Sequence, residues 1–158
     1  RISTMQAVTE LLKLGVDHSC VMQTMHNDSL ESLKKRAELL KRAERLLDGN
    51  VAGVCISRAE SEAEGISYED IHPISEILRD CEDIELGFTM YEEEENRWRC
   101  SFRSDGNWIN VNELLQEFGG GGHAAAAGVR KRTNDMEKFK KEILERIIMM
   151  RKKKECAK

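Results

Sequence analysis

Apolar residues recur at helical spacing through the first third of the chain. They predict a first helix that ends at Gly15, a second that follows it directly, and a third that Asp28 or Ser29 caps and that runs to Gly49. The apolar face of the third helix consists of Leu33, Ala37, Leu40 and Leu47. The pattern therefore predicts a helical leader over residues 1–48.

Beyond the leader the spacing becomes that of β-strands. Val51–Ser57 is a short apolar run typical of a buried strand, and Ser67 and Pro73 mark the starts of two short helices. Apolar and polar residues then alternate in two runs, which predict a half-exposed strand, a turn in the acidic segment Glu92–Glu95, and a second strand. The alternating apolar residues are Ile84, Leu86, Phe88 and Met90 in the first run and Trp98, Cys100 and Phe102 in the second.

The last third of the chain predicts a helix, a short strand and a longer terminal helix. Asn110 can cap a helix over Val111–Phe118, Ala127–Lys131 can form a strand, and a helical stripe follows. That stripe consists of Met136, Phe139, Ile143 and Ile147. Residues 49–158 are thus expected to form one α/β domain, a small mixed sheet flanked by helices. Because strands and helices do not strictly alternate, an α+β arrangement stays open.

The composition argues against an extended nucleic-acid-binding surface. The chain has 25 Lys and Arg against 29 Asp and Glu, a net charge of -4. Any binding of a polyanion must therefore come from local basic groups.

The cysteines and the hydropathy bear on location. Five cysteines lie far apart, without a Cys-x-x-Cys pair, which favours reduced thiols over disulfides or a zinc site. The chain has no apolar run long enough to span a bilayer, and the first fifteen residues are too polar for a signal peptide. We expect a cytoplasmic protein with no membrane partner.

The most unusual segment is the block of four glycines, Gly119–Gly122, followed by His123, four alanines and Gly128. It predicts a loop that leads into a helical turn, where free backbone N–H groups and the helix dipole would favour an anion. His123 would stand at the mouth of such a site and could donate a hydrogen bond to a phosphate. The alternative is a linker, or tight packing around small residues.

Arg103 and Trp108 are the other two candidates for ligand contacts. Strand alternation places Arg103 opposite the apolar face, at the end of its strand, where its guanidinium could pair with a phosphate. The alternative is a surface salt bridge to the acidic run. Trp108 could stack on a base, or it could cover the core from a loop.

Three segments in one order carry a family resemblance: Arg103-Ser104, then Ile109–Asn112, then Gly-Gly-Gly-His-x-x-Ala-Ala-Gly over Gly120–Gly128. This order resembles the DHHA1 domain that follows the catalytic domain of DHH-family phosphoesterases. It is most similar to the branch of oligoribonucleases and 3′-phosphoadenosine 5′-phosphate phosphatases.

The resemblance implies that cleavage and substrate binding are carried out by different domains. In that family an N-terminal DHH domain holds two manganese ions and cleaves a phosphate ester, and the C-terminal domain closes over the substrate. On matching positions, substrate phosphate binding would fall to Arg103, His123 and the glycines Gly120, Gly121 and Gly122, with Ser104 as a weaker candidate.

The Asp-His-His motif of the catalytic domain does not occur in this sequence. Asp17-His18-Ser19 is superficially similar, but it follows a helix, so a capping or turn role is expected for Asp17. The four histidines are too scattered for a two-metal site, so no metal ligands, catalytic residues or cofactor are assigned to this chain. Manganese is expected in a preceding domain that this sequence lacks.

The sequence thus predicts the substrate-binding domain of a metal-dependent phosphoesterase, inactive by itself. Its expected partners are a short oligoribonucleotide or a nucleotide phosphate and its own DHH domain. A homodimer is possible through Ile143, Ile147 and Ile148 of the last helix, which could instead pack on the domain itself. The alternative function is that of a non-catalytic module for nucleic-acid binding or assembly.

Overall fold

The computed structural model describes residues 2–25 and 28–155, in two compact units that divide between Leu33 and Lys34. The first unit contains α1 (Ile2–Lys13), α2 (His18–Met25) and the start of α3 (Leu30–Lys41). The division comes earlier in the chain than the leader boundary proposed from the sequence. Cys156 lies outside the described residues.

Two predicted caps begin helices of this leader. The carboxylate of Asp17 accepts a hydrogen bond from the backbone N–H of Ser19 at 2.8 Å, at the start of α2. The hydroxyl of Ser29 accepts one from the N–H of Ser32 at 3.0 Å, at the start of α3. Each oxygen satisfies an N–H group that has no partner within its helix, which confirms both capping roles.

The second unit is a mixed six-stranded sheet with helices on both faces. Its elements in chain order are β1 (Glu44–Leu46), β2 (Val51–Ile56), α4 (Arg58–Glu64), α5 (Tyr68–Ile71), α6 (Ile74–Arg79), β3 (Leu86–Glu94), β4 (Arg97–Ser104), α7 (Val111–Gln116), β5 (Gly121–His123), β6 (Ala126–Arg132) and α8 (Met136–Glu155). The strand order is β1-β2-β3-β4-β6-β5. Only β2 and β3 pair in parallel, so the predicted mixed α/β fold is confirmed.

The third helix is shorter than the sequence predicts, because the chain turns into a hairpin. The helix ends at Lys41, and β1 then pairs with β2 in antiparallel fashion. Leu47, Asp48 and Gly49 all have positive φ angles, which a helix cannot accommodate. Leu47 therefore lies in a turn, and the predicted helical stripe through it is wrong. Pairing of the strands outweighs the helical preference of this segment.

Two hydrophobic clusters lie on opposite faces of the sheet. One cluster lies beneath α7 and α8, where the stacked rings of Phe88 and Phe102 are 5.6 Å apart. The other lies beneath α4, α5 and α6 and also receives Leu39 from α3. Its buried members are Leu39, Ala52, Val54, Ile56, Ile66, Ile71, Ile74, Leu78 and Ile84. Strand β2 therefore sends alternate side chains to different clusters, Val51 to the first and Ala52, Val54 and Ile56 to the second.

Strand β3 is buried on both faces, where the sequence predicts a half-exposed strand. Both Gly87 and Thr89, which alternate with its apolar residues, are buried. A side chain at Gly87 would overlap the Ser75 carbonyl of α6, so the glycine allows that helix to approach the sheet closely. The acidic run also continues β3 as far as Glu94, so the turn itself is confined to residues 95 and 96.

The terminal helix packs on its own domain. Ile143 and Ile147 are buried in the cluster beneath α7 and α8, whereas Ile148 is exposed. The first two are therefore already used within this chain. No helix in the described ranges is long and apolar enough to cross a membrane.

Candidate functional site

The half of the sheet formed by β4, β6 and β5 has two unlike faces. One is covered by α7 and α8 and is apolar, and we call it the covered face. The other extends beyond the helices that cover β2 and β3, and we call it the open face. Its residues on the three strands are Arg99, Ser101, Arg103, Gly121, His123, Ala126, Gly128 and Arg130. The predicted position of Arg103, opposite Trp98 and Phe102, is confirmed.

The register of the strands brings Arg103 and His123 into one row. Arg103 lies opposite Ala126, and Ala126 lies opposite His123 on its other side. Neighbours in such a row point to the same face, and their strands are about 4.8 Å apart. The two backbone positions are therefore roughly 10 Å apart, on either side of an alanine. Arginine and histidine side chains at that spacing can both reach one phosphate.

A depression of about 380 Å³ occupies the open face. Its floor is formed by Gly121, Ala126 and Gly128, which leave space above the sheet because their side chains are small or absent. Tyr68 and His72 of the α5 region form a wall. Arg103 lines the same depression, together with residues of β4 and β6. The site is therefore a polar recess with basic side chains around a floor of small residues.

Arg103 has no carboxylate partner among the residues that the structure describes. Its Nη1 donates a hydrogen bond to the carbonyl of Phe102 at 3.2 Å. The acidic run pairs elsewhere, because Glu93 contacts Arg99 at 3.2 Å and Arg130 at 3.3 Å. The surface salt bridge considered for Arg103 is therefore not formed in this structure.

Sequence reasoning did not select Tyr68, His72 and Arg99 for the site. The guanidinium carbon of Arg99 lies 3.8 Å from the centroid of the Tyr68 ring, a cation–π contact. The rings of Tyr68 and His72 are 5.2 Å apart. Arg99 has the same strand parity as Arg103, which was a usable signal. Tyr68 and His72 reach the site only through the packing of α5 on the sheet, which no spacing along the chain reveals.

His72 lies in a positive environment. Partial burial lowers the pKa of its imidazole, and the charges of Arg103 and Arg99 lower it further. Glu76 and Glu69 act in the opposite direction with smaller effects. The neutral form of His72 is thus favoured at neutral pH while the recess holds no anion.

The glycine block forms a β-hairpin and not the predicted loop before a helix. β5 and β6 pair across a turn at Ala124 and Ala125. A side chain at Gly122 would come within 2.6 Å of the Cα of Ala127, and one at Gly120 within 2.6 Å of the Gly128 carbonyl. Close packing of these glycines against β6 outweighs the helical preference of the alanines. The alternative of tight packing around small residues describes this segment.

The backbone N–H groups of the block are also partly used within the fold. Gly120 donates to the Leu115 carbonyl at 2.8 Å, and Gly122 donates to the side-chain oxygen of Asn112 at 3.0 Å. The predicted anion site of free N–H groups at a helix start is therefore not formed. Gly121 lines the recess, where a Cβ atom would meet only the Asn112 side-chain oxygen at 3.7 Å, and His123 is exposed at the end of β5.

Ser104 is fully buried and supports the turn that follows β4. Its hydroxyl donates to the Ile109 carbonyl at 2.7 Å and accepts from the N–H of Gly106 at 3.1 Å. In this structure it has no surface for a ligand.

Trp108 lies outside the recess. Its ring packs against the core, and the guanidinium of Arg151 lies 5.0 Å from the ring centroid. It lines a separate depression of about 810 Å³ beside α7 and α8, where Glu117 pairs with Arg146. The loop-cover role considered from the sequence matches this position, so Trp108 is not placed to stack on a ligand beside Arg103.

A comparison with protein families identifies the fold. The family model described as the DHHA1 domain matches residues 50–149 of this chain. The chain belongs to the DHHA1 family. This confirms the recognition of a C-terminal domain of the DHH family from the arginine and glycine-histidine segments.

The individual relatives of this DHHA1 chain match it either over a short segment or at low sequence identity. The bifunctional oligoribonuclease and PAP phosphatase NrnA of Mycoplasma pneumoniae is 42% identical over 52 residues, 33% of this chain and 15% of that protein. An exopolyphosphatase-related protein from Bacteroides fragilis has a similar structure, with a TM-score of 0.78 and 22% identity over 96% of this chain and 45% of the other. A pGpG-specific phosphodiesterase from Vibrio cholerae matches 75% of this chain and 39% of its own, with a TM-score of 0.53 and 14% identity. The chain spans less than half the length of each.

The described residues of this DHHA1 domain do not fit the manganese site of the DHH family. No group of three or more His, Cys, Asp or Glu side chains in residues 2–25 and 28–155 is placed to hold a metal ion. Asp17 serves as a helix cap, as described above. We therefore derive no step of catalysis through a metal from these residues.

Proposed function

We propose that this chain is the substrate-binding domain of a metal-dependent phosphoesterase, and that its open face holds a phosphate group of a short oligoribonucleotide or a small nucleotide. The observation that carries the proposal is the row of Arg103, Ala126 and His123 across three strands, beside a recess with a floor of small residues. The DHHA1 family and the nucleotide-hydrolysing relatives support the same class of substrate.

The side chains suit this task chemically. An arginine presents two parallel N–H donors to two phosphate oxygens, which orients the phosphate as well as binding it. Arg103 is available for this contact, because no described carboxylate neutralises it. His123 could donate from the opposite side of Ala126, while Gly121 and Gly128 let the phosphate approach the sheet. These groups bind and position a substrate, but they supply no nucleophile.

The proposal assigns the bond cleavage to a DHH domain of the same protein. Manganese bound there would activate the attacking water, and this chain would hold the part of the substrate that is not cleaved. A cytoplasmic location and a possible homodimer remain predictions from the sequence.

The test is a binding titration at low salt with the 5′-phosphorylated dinucleotide pApA and with adenosine 3′,5′-bisphosphate. We expect Arg103→Ala to weaken binding by about 2–5 kcal/mol if the phosphate contact is desolvated. The matched control is Arg97→Ala, on the same strand and with the same parity, because Arg97 pairs with Glu94 and does not line the recess. That variant should lose less than about 1 kcal/mol.

Four outcomes would contradict the proposal. Equal losses in the two arginine variants would indicate general electrostatic attraction and not a site. Absence of binding to the wild type would show that these residues do not bind such a substrate by themselves. Preference for long RNA regardless of its ends would favour the non-catalytic module. Manganese-dependent hydrolysis by this chain alone would contradict the assignment of bond cleavage to a separate DHH domain.

A further inference from the structure

His72 is a titratable group of the recess that neither the glycine-histidine segment nor the strand pattern indicates. It ends α5 directly before Pro73, and its ring lines the recess beside Arg103. Tyr68 holds it from one side, and the same tyrosine ring carries the guanidinium of Arg99. Three arginines, Arg99, Arg103 and Arg130, and an imidazole thus line one small volume.

The charge balance of this volume favours a doubly charged anion. Arg99 and Arg130 share one carboxylate, that of Glu93, and Arg103 has no carboxylate partner in the described part of the chain. Three arginines against one glutamate leave a net charge of about +2 around the recess. A phosphodiester carries one negative charge, whereas a terminal phosphate carries close to two near neutral pH. The terminal phosphate would offset almost all of the positive charge that opposes protonation of His72, whereas a phosphodiester would leave about half of it.

We propose that His72 is a third phosphate-binding side chain of this site, and that it takes up a proton from solvent when a terminal phosphate dianion binds. The inference rests on the proposed function, and it narrows the ligand to the phosphomonoester end of a nucleotide. The N–H of the protonated His72 ring would donate to a phosphate oxygen. The negative charge of the ligand would offset the positive charge that this protonation places beside Arg103.

The electrostatics give the direction of the pH dependence. Burial, Arg103 and Arg99 keep the pKa of His72 below its ordinary value in the free chain, with Glu76 of α6 and Glu69 of α5 opposing them weakly. A bound dianion would raise that pKa. The affinity that His72 contributes should therefore rise as the pH falls through its pKa in the complex, and should stop rising below its pKa in the free chain.

The experiment compares pApA with the unphosphorylated dinucleotide ApA, which has only a diester. Calorimetric titrations at pH 6.5 in two buffers with different ionisation enthalpies measure the affinity and the protons taken up. We expect wild-type binding of pApA to take up protons, and His72→Gln to bind it about tenfold more weakly with less proton uptake. ApA should bind more weakly, with little dependence on His72. Because the phosphate itself titrates near pH 6, His72→Gln also provides the reference for that contribution.

A control variant and a measurement on the wild-type protein test whether the proton uptake belongs to His72. His18→Gln replaces an exposed histidine that does not line the recess, and it should leave the proton uptake unchanged. In the wild type, the ring protons of His72 followed by NMR should report a higher pKa with pApA than without it. This measurement does not depend on the folding of a variant.

The outcomes separate this inference from the proposed function. If Arg103→Ala abolishes binding of pApA while His72→Gln changes neither affinity nor proton uptake, the role of His72 is wrong and the proposed function stands. If ApA binds as tightly as pApA, the preference for a terminal phosphate is wrong. If the wild type binds neither dinucleotide, both proposals fail.

Discussion

The two faces of the half-sheet formed by β4, β6 and β5 share one backbone, but successive residues of each strand point to opposite faces and differ in chemical character. On β4, Trp98, Cys100 and Phe102 enter the covered face, where α7 and α8 exclude water. Arg99 and Arg103, between them, point to the open face and the recess. One strand therefore supplies both the packing that holds the domain together and the charges proposed to bind a ligand. Substitutions one residue apart should separate stability from binding.

The largest expected effect comes from the covered face. Phe102→Ala removes a ring that is almost fully buried and stacked on Phe88, so it should lower the free energy of unfolding by about 3–5 kcal/mol. Arg103→Ala, at the next position, should change it by less than about 1 kcal/mol, because Arg103 makes only one internal hydrogen bond. Urea unfolding measures both. Similar losses of stability in the two variants would contradict the division between the faces.

The glycine block offers a second pair of neighbours. Gly122→Ala would force a methyl group against the backbone of Ala126 and Ala127, so we expect a loss of roughly 1–3 kcal/mol in unfolding free energy. Gly121→Ala makes only an ordinary van der Waals contact, 3.7 Å from the side-chain oxygen of Asn112, so it should retain nearly wild-type stability while its methyl group narrows the recess and weakens pApA binding. Thermal unfolding and titration together test the pair. Normal binding by Gly121→Ala would place the phosphate away from this floor.

The smallest expected effect concerns Glu93, which competes for the positive charges of the open face. Glu93→Gln releases Arg99 and Arg130 from their ion pairs, so pApA should bind about two- to fivefold more tightly at low salt. The gain should shrink as salt is added, because salt screens exposed charges. Glu94→Gln, which releases only Arg97, is the matched control. Weaker binding by Glu93→Gln would indicate that Glu93 instead holds Arg99 in its binding position.

The sequence allowed most of the sheet to be predicted, because alternation reports local burial directly. The hairpin of β3 and β4 and the position of Arg103 followed from it. The errors lie where long-range packing outweighs local preference. Leu47 lies in a helical stripe, yet pairing of β1 with β2 places it in a turn. The four alanines favour a helix, yet Gly122 and its neighbours allow β5 to lie against β6.

Part of the candidate site could be predicted from the sequence. Arg103 and His123 belong to recognisable segments, and strand parity then points to Arg99. His72 and Tyr68 could not be found, because they reach the recess only through the packing of α5 on the sheet. Ser104, in the same segment as Arg103, supports the turn, and Trp108, between two of the segments, packs against the core. A motif thus combines residues proposed to bind a ligand with residues that shape the loop, and only packing distinguishes them.

The tip of the β5–β6 hairpin has a consequence for local opening of the domain. The carbonyl of Ala125 accepts a hydrogen bond from Ser104, and the carbonyl of Ala124 accepts one from Val111. Both ends of the loop between β4 and α7 are thus tied to two adjacent peptide groups. Hydrogen–deuterium exchange should therefore show the amides of Ser104 and Val111 becoming accessible together, in a single cooperative opening that also carries the neighbouring His123 away from Arg103.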